Sequence, residues 1–209
     1  TGQLGIGIAT YSLAVGGYCP AIRGGLGAVS TQAFVNLKLG NLALRLMSLG
    51  YSPDKVISEL AEDDPDFSYR QVGIVNAENE ISVHTGSNTR SWSGHLTGAG
   101  YIVMGNVLAG GEVIEAMARA FEQREQTDLD ERLLGTLEAG RDAGGQATAD
   151  GTRLNERSAA VITHGQRDFG HIDLRVDASE AAVDELRRVH GIYKPFIPYY
   201  EMRHHQPQE

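Results

Sequence analysis

The order of segments along this chain predicts an α+β fold, a four-layer αββα sandwich in which two antiparallel sheets stack face to face and helices cover their outer faces. Three observations carry that reading. Strands and helices both arrive in pairs, in the order strand pair, helix pair, strands, helix pair, strand pair, helix, which the alternating βαβ units of a parallel sheet would not produce. Two of the strand pairs read as hairpins with short polar turns. The 26 glycines in 209 residues stand well above the usual ~7%, as tight turns and close backbone approaches require.

Residues 3–10 alternate apolar and small side chains with period two, the pattern of a strand whose glycine side lies against something close. Gly25 to Gln32 repeats that style. After Phe34 the period changes: Leu39, Leu42, Ala43, Leu46 and Leu49 follow the spacing of an amphipathic helix that ends at Gly50. Ser52 caps and Pro53 opens a second helix, apolar at Val56, Ile57, Leu60 and Ala61. Gln71–Asn76 and Glu80–Thr85 flank the polar turn Ala77-Glu78-Asn79 as a hairpin, and the stretch from Gly100 to Asn106 reads as a further strand.

A helix from about Glu112 to Gln126 is apolar at Val113, Ile114, Met117 and Phe121. Thr127, with Asp128 and Asp130 in the first turn, opens another through Leu133, Leu134 and Leu137, closed by Gly144-Gly145. Residues 145–155 are polar and Gly-containing and read as a loop. Arg157–His164 and His171–Asp177 form a second hairpin, and Asp177 with Glu180 three residues on reads as a capping box for a helix through Val183, Leu186 and Val189. Prolines at 195, 198 and 207 predict an extended tail. The organisation is therefore one domain over residues 1–190 and a Pro- and aromatic-rich tail over 191–209, whose aromatics dock or mediate assembly into a homo-oligomer.

A net charge of −9 disfavours nucleic acid and anionic membrane surfaces as partners. No stretch reaches the ~18 apolar residues of a membrane helix, and no leader is visible, so a soluble, cytoplasmic protein is expected. One cysteine, Cys19, cannot close a disulfide within the chain. Gly105-Asn106 with Gly110-Gly111 matches neither GxGxxG nor a P-loop, so no nucleotide cofactor is expected. His164 and His171 flank the final hairpin without a third ligand, His204-His205 lie in the tail, and no metal is expected.

The candidate site residues each have a plain structural alternative. Thr31 and Gln32 point to opposite faces of one strand, so at most one of them lines a pocket. Trp92 and His95 sit in a Gly-rich loop that suits a pocket wall with a polar handle, or a histidine with a satisfied structural hydrogen bond. Asn106 is either a donor to a polarised carbonyl or a turn residue. Cys19 reads as a small buried apolar group, since nothing nearby activates it. Asp63, Asp64 and Asp66 beside Pro65 read as a solvated loop.

The motifs TGQLGIGIAT, CPAIRGGLGAVSTQA, YRQVGIVNAENEISVHTG, WSGHLTGAGYIVMGNVLAG, SAAVITH and IDLRVD, in that order over nearly the whole chain, resemble the bacterial family catalogued as domain of unknown function 1028, which is placed among the N-terminal nucleophile hydrolases. The resemblance implies an Ntn-hydrolase-like sandwich and cleavage of a C–N amide bond in a small-molecule or peptide-like substrate. An N-terminal hydroxyl would attack while its own amine acts as base. It also implies one more short strand before the turn at Thr1-Gly2, headed by the suspected nucleophile. Thr1 is thus either the nucleophile itself or a turn residue. Arg23, where related folds place a basic group near the nucleophile, is the cationic candidate, against a plain surface arginine. The rival function is a catalytically silent binding or assembly protein on the same fold.

Overall fold

The computed structural model describes residues 2–165 and 170–205. Strand β1 (Leu4–Thr10) is followed by β2 (Pro20–Arg23), β3 (Gly27–Ala33), helices α1 (Leu37–Ser48) and α2 (Pro53–Asp63), and strands β4 (Arg70–Asn76) and β5 (Ile81–Thr85). Then come β6 (Gly94–Gly98), β7 (Tyr101–Gly105), α3 (Gly111–Gln123), α4 (Leu129–Asp142), and the two-residue strands β8 (Gln146–Ala147) and β9 (Arg153–Leu154). The chain closes with β10 (Ser158–His164), β11 (Gly170–Val176), α5 (Ala182–Tyr193) and α6 (Ile197–His205). The mixture is α+β, and every strand pairing is antiparallel.

Two sheets organise the core, one in the order β1-β10-β11 and the other β2-β3-β4-β5. The period-two pattern of the strands sends alternate residues to opposite faces. Val29, Val72 and Ile74 pack outward against Leu39, Ala43 and Leu44 of α1 and Val56 and Leu60 of α2. Ala159, Val161 and Ile172 pack outward in the other direction, against Leu134 of α4 and Val183 and Leu186 of α5. Between the sheets, Leu4 and Ile6 meet Ala28, flanked by Ile22 and Val75. The glycine side of β1 does lie against something close: a Cβ at Gly5 would stand 2.7 Å from Leu133 Cδ1 of α4. That contact lets the helix settle onto the strand with no side chain between them.

The β6-β7 hairpin lies on the same inner face as β1. A Cβ on Gly73 of β4 would meet Met104 Sδ at 3.1 Å and Ile102 Cδ1 at 3.4 Å, so β7 rests on the glycine floor of β4. Helix α3 covers this hairpin through Val113 and Ile114, packed with Val103. The layer facing β2-β3-β4-β5 therefore contains both β1 and β7.

Several local expectations are corrected. Pro20–Arg23 forms a strand, β2, that the sequence reading lacked, paired with β3 across the turn at residues 24–26. Gly94–Gly98, read as loop, is strand β6. Helix α5 starts at Ala182 with no side-chain cap, so Asp177 and Glu180 make no capping box. The tail is helical up to His205, not extended, and α5 crosses residue 190. Pro195 and Pro198 occupy first-turn positions, where a missing N–H costs nothing.

Asp64 is a further correction. Asp63 and Asp66 are exposed, but Asp64 is buried. Its carboxylate accepts Arg70 Nε at 2.9 Å, Asn36 Nδ2 at 3.0 Å and the Asp66 backbone N–H at 3.0 Å. The Arg70 hydrogen bond outweighs burial and brings the carboxyl down to about 2. A carboxyl depressed on folding stabilises above its unfolded value of ~3.9 and loses that contribution as pH falls through its folded value. Asp64→Asn should therefore lower unfolding stability at pH 7 by about 1–3 kcal/mol, with the gap to the parent protein closing between about pH 4 and 2. Urea unfolding across that range checks this, and a gap independent of pH would contradict it.

Candidate functional site

Between β1 and β7 the inner layer is interrupted by a cavity of about 450 Å³. Consecutive residues from Gly5 to Ser12 line it, so it runs along the edge of β1 that faces away from β10. Tyr101 to Leu108 line the opposite wall, along the edge of β7 that faces away from β6. Gly73, Val75 and Ala28 form the floor, and Met117, Phe121, Leu133 and Leu137 of α3 and α4 the roof. Among the described residues no strand pairs with either open edge.

The walls are apolar along most of their length and polar at the Thr10 end, where a series of carboxamides meets. Gln71 of β4 is fully buried. Its Oε1 accepts Gln32 Nε2 at 2.9 Å and Asn106 Nδ2 at 3.3 Å. Its Nε2 donates to Thr85 Oγ1 at 2.9 Å and to the carbonyls of Gly105 and Gly94 at 3.0 and 3.1 Å. Gln146 of β8 closes the ring: its Nε2 donates to the Asn106 carbonyl at 3.1 Å, and its Oε1 accepts Thr10 Oγ1 at 3.1 Å and the Tyr11 N–H at 2.8 Å. Two non-glycine residues with left-handed backbones, Ala33 (φ 72) and Val107 (φ 56), follow Gln32 and Asn106 directly and also line the cavity. Such conformations cost about 1–3 kcal/mol each and persist where the surroundings over-determine them. Here the amide network supplies that constraint.

The network extends to a second, more open pocket lined by Thr85, Trp92, His95 and Glu115. Thr85 Oγ1 accepts from Gln71 and lies 2.9 Å from His95 Nδ1, in a second hydrogen bond that runs in either direction with the imidazole tautomer. Burial, and after it the nearby His84, hold the imidazole below the ordinary histidine value. This pocket does not merge with the first among the described residues; Gln71 and Thr85 lie between their polar groups.

The sequence candidates thus separate. Gln32 and Asn106 line the large cavity, while Trp92 and His95 line the second pocket. Thr31 is buried on the face that Val29 presents to α1, so the alternation selects Gln32 and removes Thr31. Arg23 is exposed at the end of β2 and lines neither pocket. Thr1 lies outside the described residues. Cys19 lines the cavity but is buried with Ile8 and Val15, and burial pushes its thiol up to about 12, which makes it an inert packing group. The sequence reading missed Gln71, Gln146 and Arg90. For Gln71 a signal existed, since it shares the inward register of β4 with Gly73 and Val75 and is the polar member of that row.

Residues 1–186 match the Family of unknown function (DUF1028). The chain belongs to this family. A crystal structure of a family member from Silicibacter pomeroyi superposes on it with a TM-score of 0.82 at 25% identity, covering 92% of this chain and 84% of that one. No curated protein matches. The family comparison assigns no activity, so the chemistry of this DUF1028 chain has to come from the cavity and its amide head.

The proton placement in the network is measurable. His95 should titrate below the ~6.5 of a free histidine when followed by nitrogen NMR. A midpoint at or above the free value would contradict the burial assigned to this imidazole.

Proposed function

We propose that this DUF1028 protein is an N-terminal nucleophile hydrolase that cleaves a C–N amide bond at the Thr10 end of the intersheet cavity. The observation that carries this reading is that the cavity is a slot between two open strand edges. A strand seated there would pair with both β1 and β7 and join the two small sheets into the order β11-β10-β1-strand-β7-β6. Gly2, with φ 67, has the left-handed backbone of a tight turn leading into β1. A segment entering β1 through that turn would run antiparallel to it. If it matched the seven residues of β1, its first residue would stand opposite Thr10, among Gln32, Asn106 and Gln146. The resemblance implies a hydroxyl residue at the head of such a strand, and on this reading that residue is the nucleophile in place of Thr1.

The chemistry then follows from the groups present. The hydroxyl oxygen attacks the amide carbonyl carbon, and its proton passes to the α-amine, whose pKa of about 7.7–8.0 leaves part of it neutral near pH 7.5. The carbonyl oxygen takes up the negative charge. Asn106 gives one N–H to Gln71, and its second N–H is available to that oxygen. As the C–N bond breaks, the ammonium returns the proton to the departing nitrogen. Water then hydrolyses the ester by the same route, and the hydroxyl is restored. Gln71 and Gln146 touch no reacting atom in this scheme. They position Asn106.

The test uses the full-length gene product. Mass spectrometry should find a mature N-terminus at a free Ser or Thr, a hydroxyl-directed electrophile should add at that residue, and a panel of small amides should include one that is turned over. Asn106→Ala should lower kcat about 10²–10³-fold with the fold intact. A blocked or extended N-terminus, or an Asn106 variant of unchanged kcat, would rule the mechanism out.

A further inference from the structure

Among the described residues, three charged side chains line the large cavity: Arg90, Arg141 and Glu156. Two of them have charged partners. Arg141 pairs with Asp142 at 2.8 Å and with Asp184, and Glu156 stands 3.7 Å from Arg153. Arg90 has no carboxylate within salt-bridge distance among the described residues, in a chain whose net charge is −9. Its guanidinium lies 5.1 Å from the centroid of the Phe34 ring, and its backbone carbonyl accepts the Val107 N–H at 3.1 Å. Phe34 and Val107 both line the cavity, so Arg90 is tied to the cavity wall through its backbone and through the ring its guanidinium faces. The ring orients the guanidinium without neutralising it.

The neighbouring groups point the same way. Gln32 Nε2 and Asn106 Nδ2 each direct one hydrogen to the same Gln71 oxygen, which leaves each a second N–H to offer a ligand. A planar cation with unused donors, beside two carboxamide donors, suits a planar acceptor with negative charge, and the guanidinium fork matches a carboxylate in two-point geometry.

We propose that the site selects amides carrying a carboxylate next to the scissile bond, the N-acyl amino acid class, and that Arg90 is the residue that reads the carboxylate. This rests on the hydrolase reading for the identity of the bond, but the binding claim is separable from it. The probes are N-benzoylglycine and its neutral counterpart N-benzoylglycinamide, titrated calorimetrically into the full-length gene product. The acid should bind at least about tenfold more tightly than the carboxamide, in keeping with one charge-assisted contact. Arg90→Ala should abolish that preference while leaving the unfolding midpoint in place, since the side chain is exposed. Equal affinities, failure of both probes to bind at millimolar concentration, or a preference that survives Arg90→Ala would each overturn the proposal. Turnover of the two probes is scored separately: preferential binding without hydrolysis refutes the hydrolase reading alone, and hydrolysis without preference refutes the role of Arg90 alone.

Discussion

The buried carboxamide of Gln71 holds the Thr10 end of the cavity together. It has no access to solvent, so each of its polar atoms has to find protein partners or cost about 1–3 kcal/mol in lost hydrogen bonding. Those partners lie on four different strands and one loop: Gln32 on β3, Thr85 on β5, the Gly94 carbonyl on β6, the Gly105 carbonyl on β7 and Asn106 just after it. One side chain thereby fixes the β6-β7 hairpin against the larger sheet, at the end where the backbone is strained at Ala33 and Val107. The donor set facing the cavity follows from it, because a single acceptor oxygen draws one hydrogen from each of Gln32 and Asn106.

The second constraint is the interruption between β1 and β7. Open strand edges carry unpaired N–H and C=O groups and are normally covered. Here two such edges face each other across a cavity with a glycine floor and an apolar roof. Gly73 brings β7 down to the sheet, and Gly5 brings α4 down to β1. These close approaches bring the floor and the roof of the slot close to its two strand edges.

Much of the architecture was legible because its signals are local. The apolar spacing of Leu39, Leu42, Ala43 and Leu46, the Ser52-Pro53 cap, and the Gln71–Asn76 and Glu80–Thr85 hairpin each depend on residues a few positions apart, and each forms close to its expected place. Four-residue β2 and glycine-bounded β6 are too short to show a period. The tail hid its helices because Pro195 and Pro198 read as breakers, although they fall in first turns. At the site, strand alternation could say that only one of Thr31 and Gln32 faces the cavity, but not which. Gln71, Asn106 and Gln146 are brought together across 35 and 40 residues of chain. That juxtaposition belongs to the sheet arrangement, and no spacing rule encodes it. The burial of Asp64 is hidden for the same reason, since Arg70 and Asn36 reach it from separate parts of the chain.

Hydrogen exchange of the full-length gene product tests the strand seat most directly, because it reads the open edges themselves and needs no substrate. Alternate backbone amides of β1 and of β7, those directed into the slot, should be protected to the level of the β10 amides beside them. Rapid exchange at those positions, at the rate of a solvent-facing edge, would mean that no strand occupies the slot. The nucleophile would then have no route to the amide head.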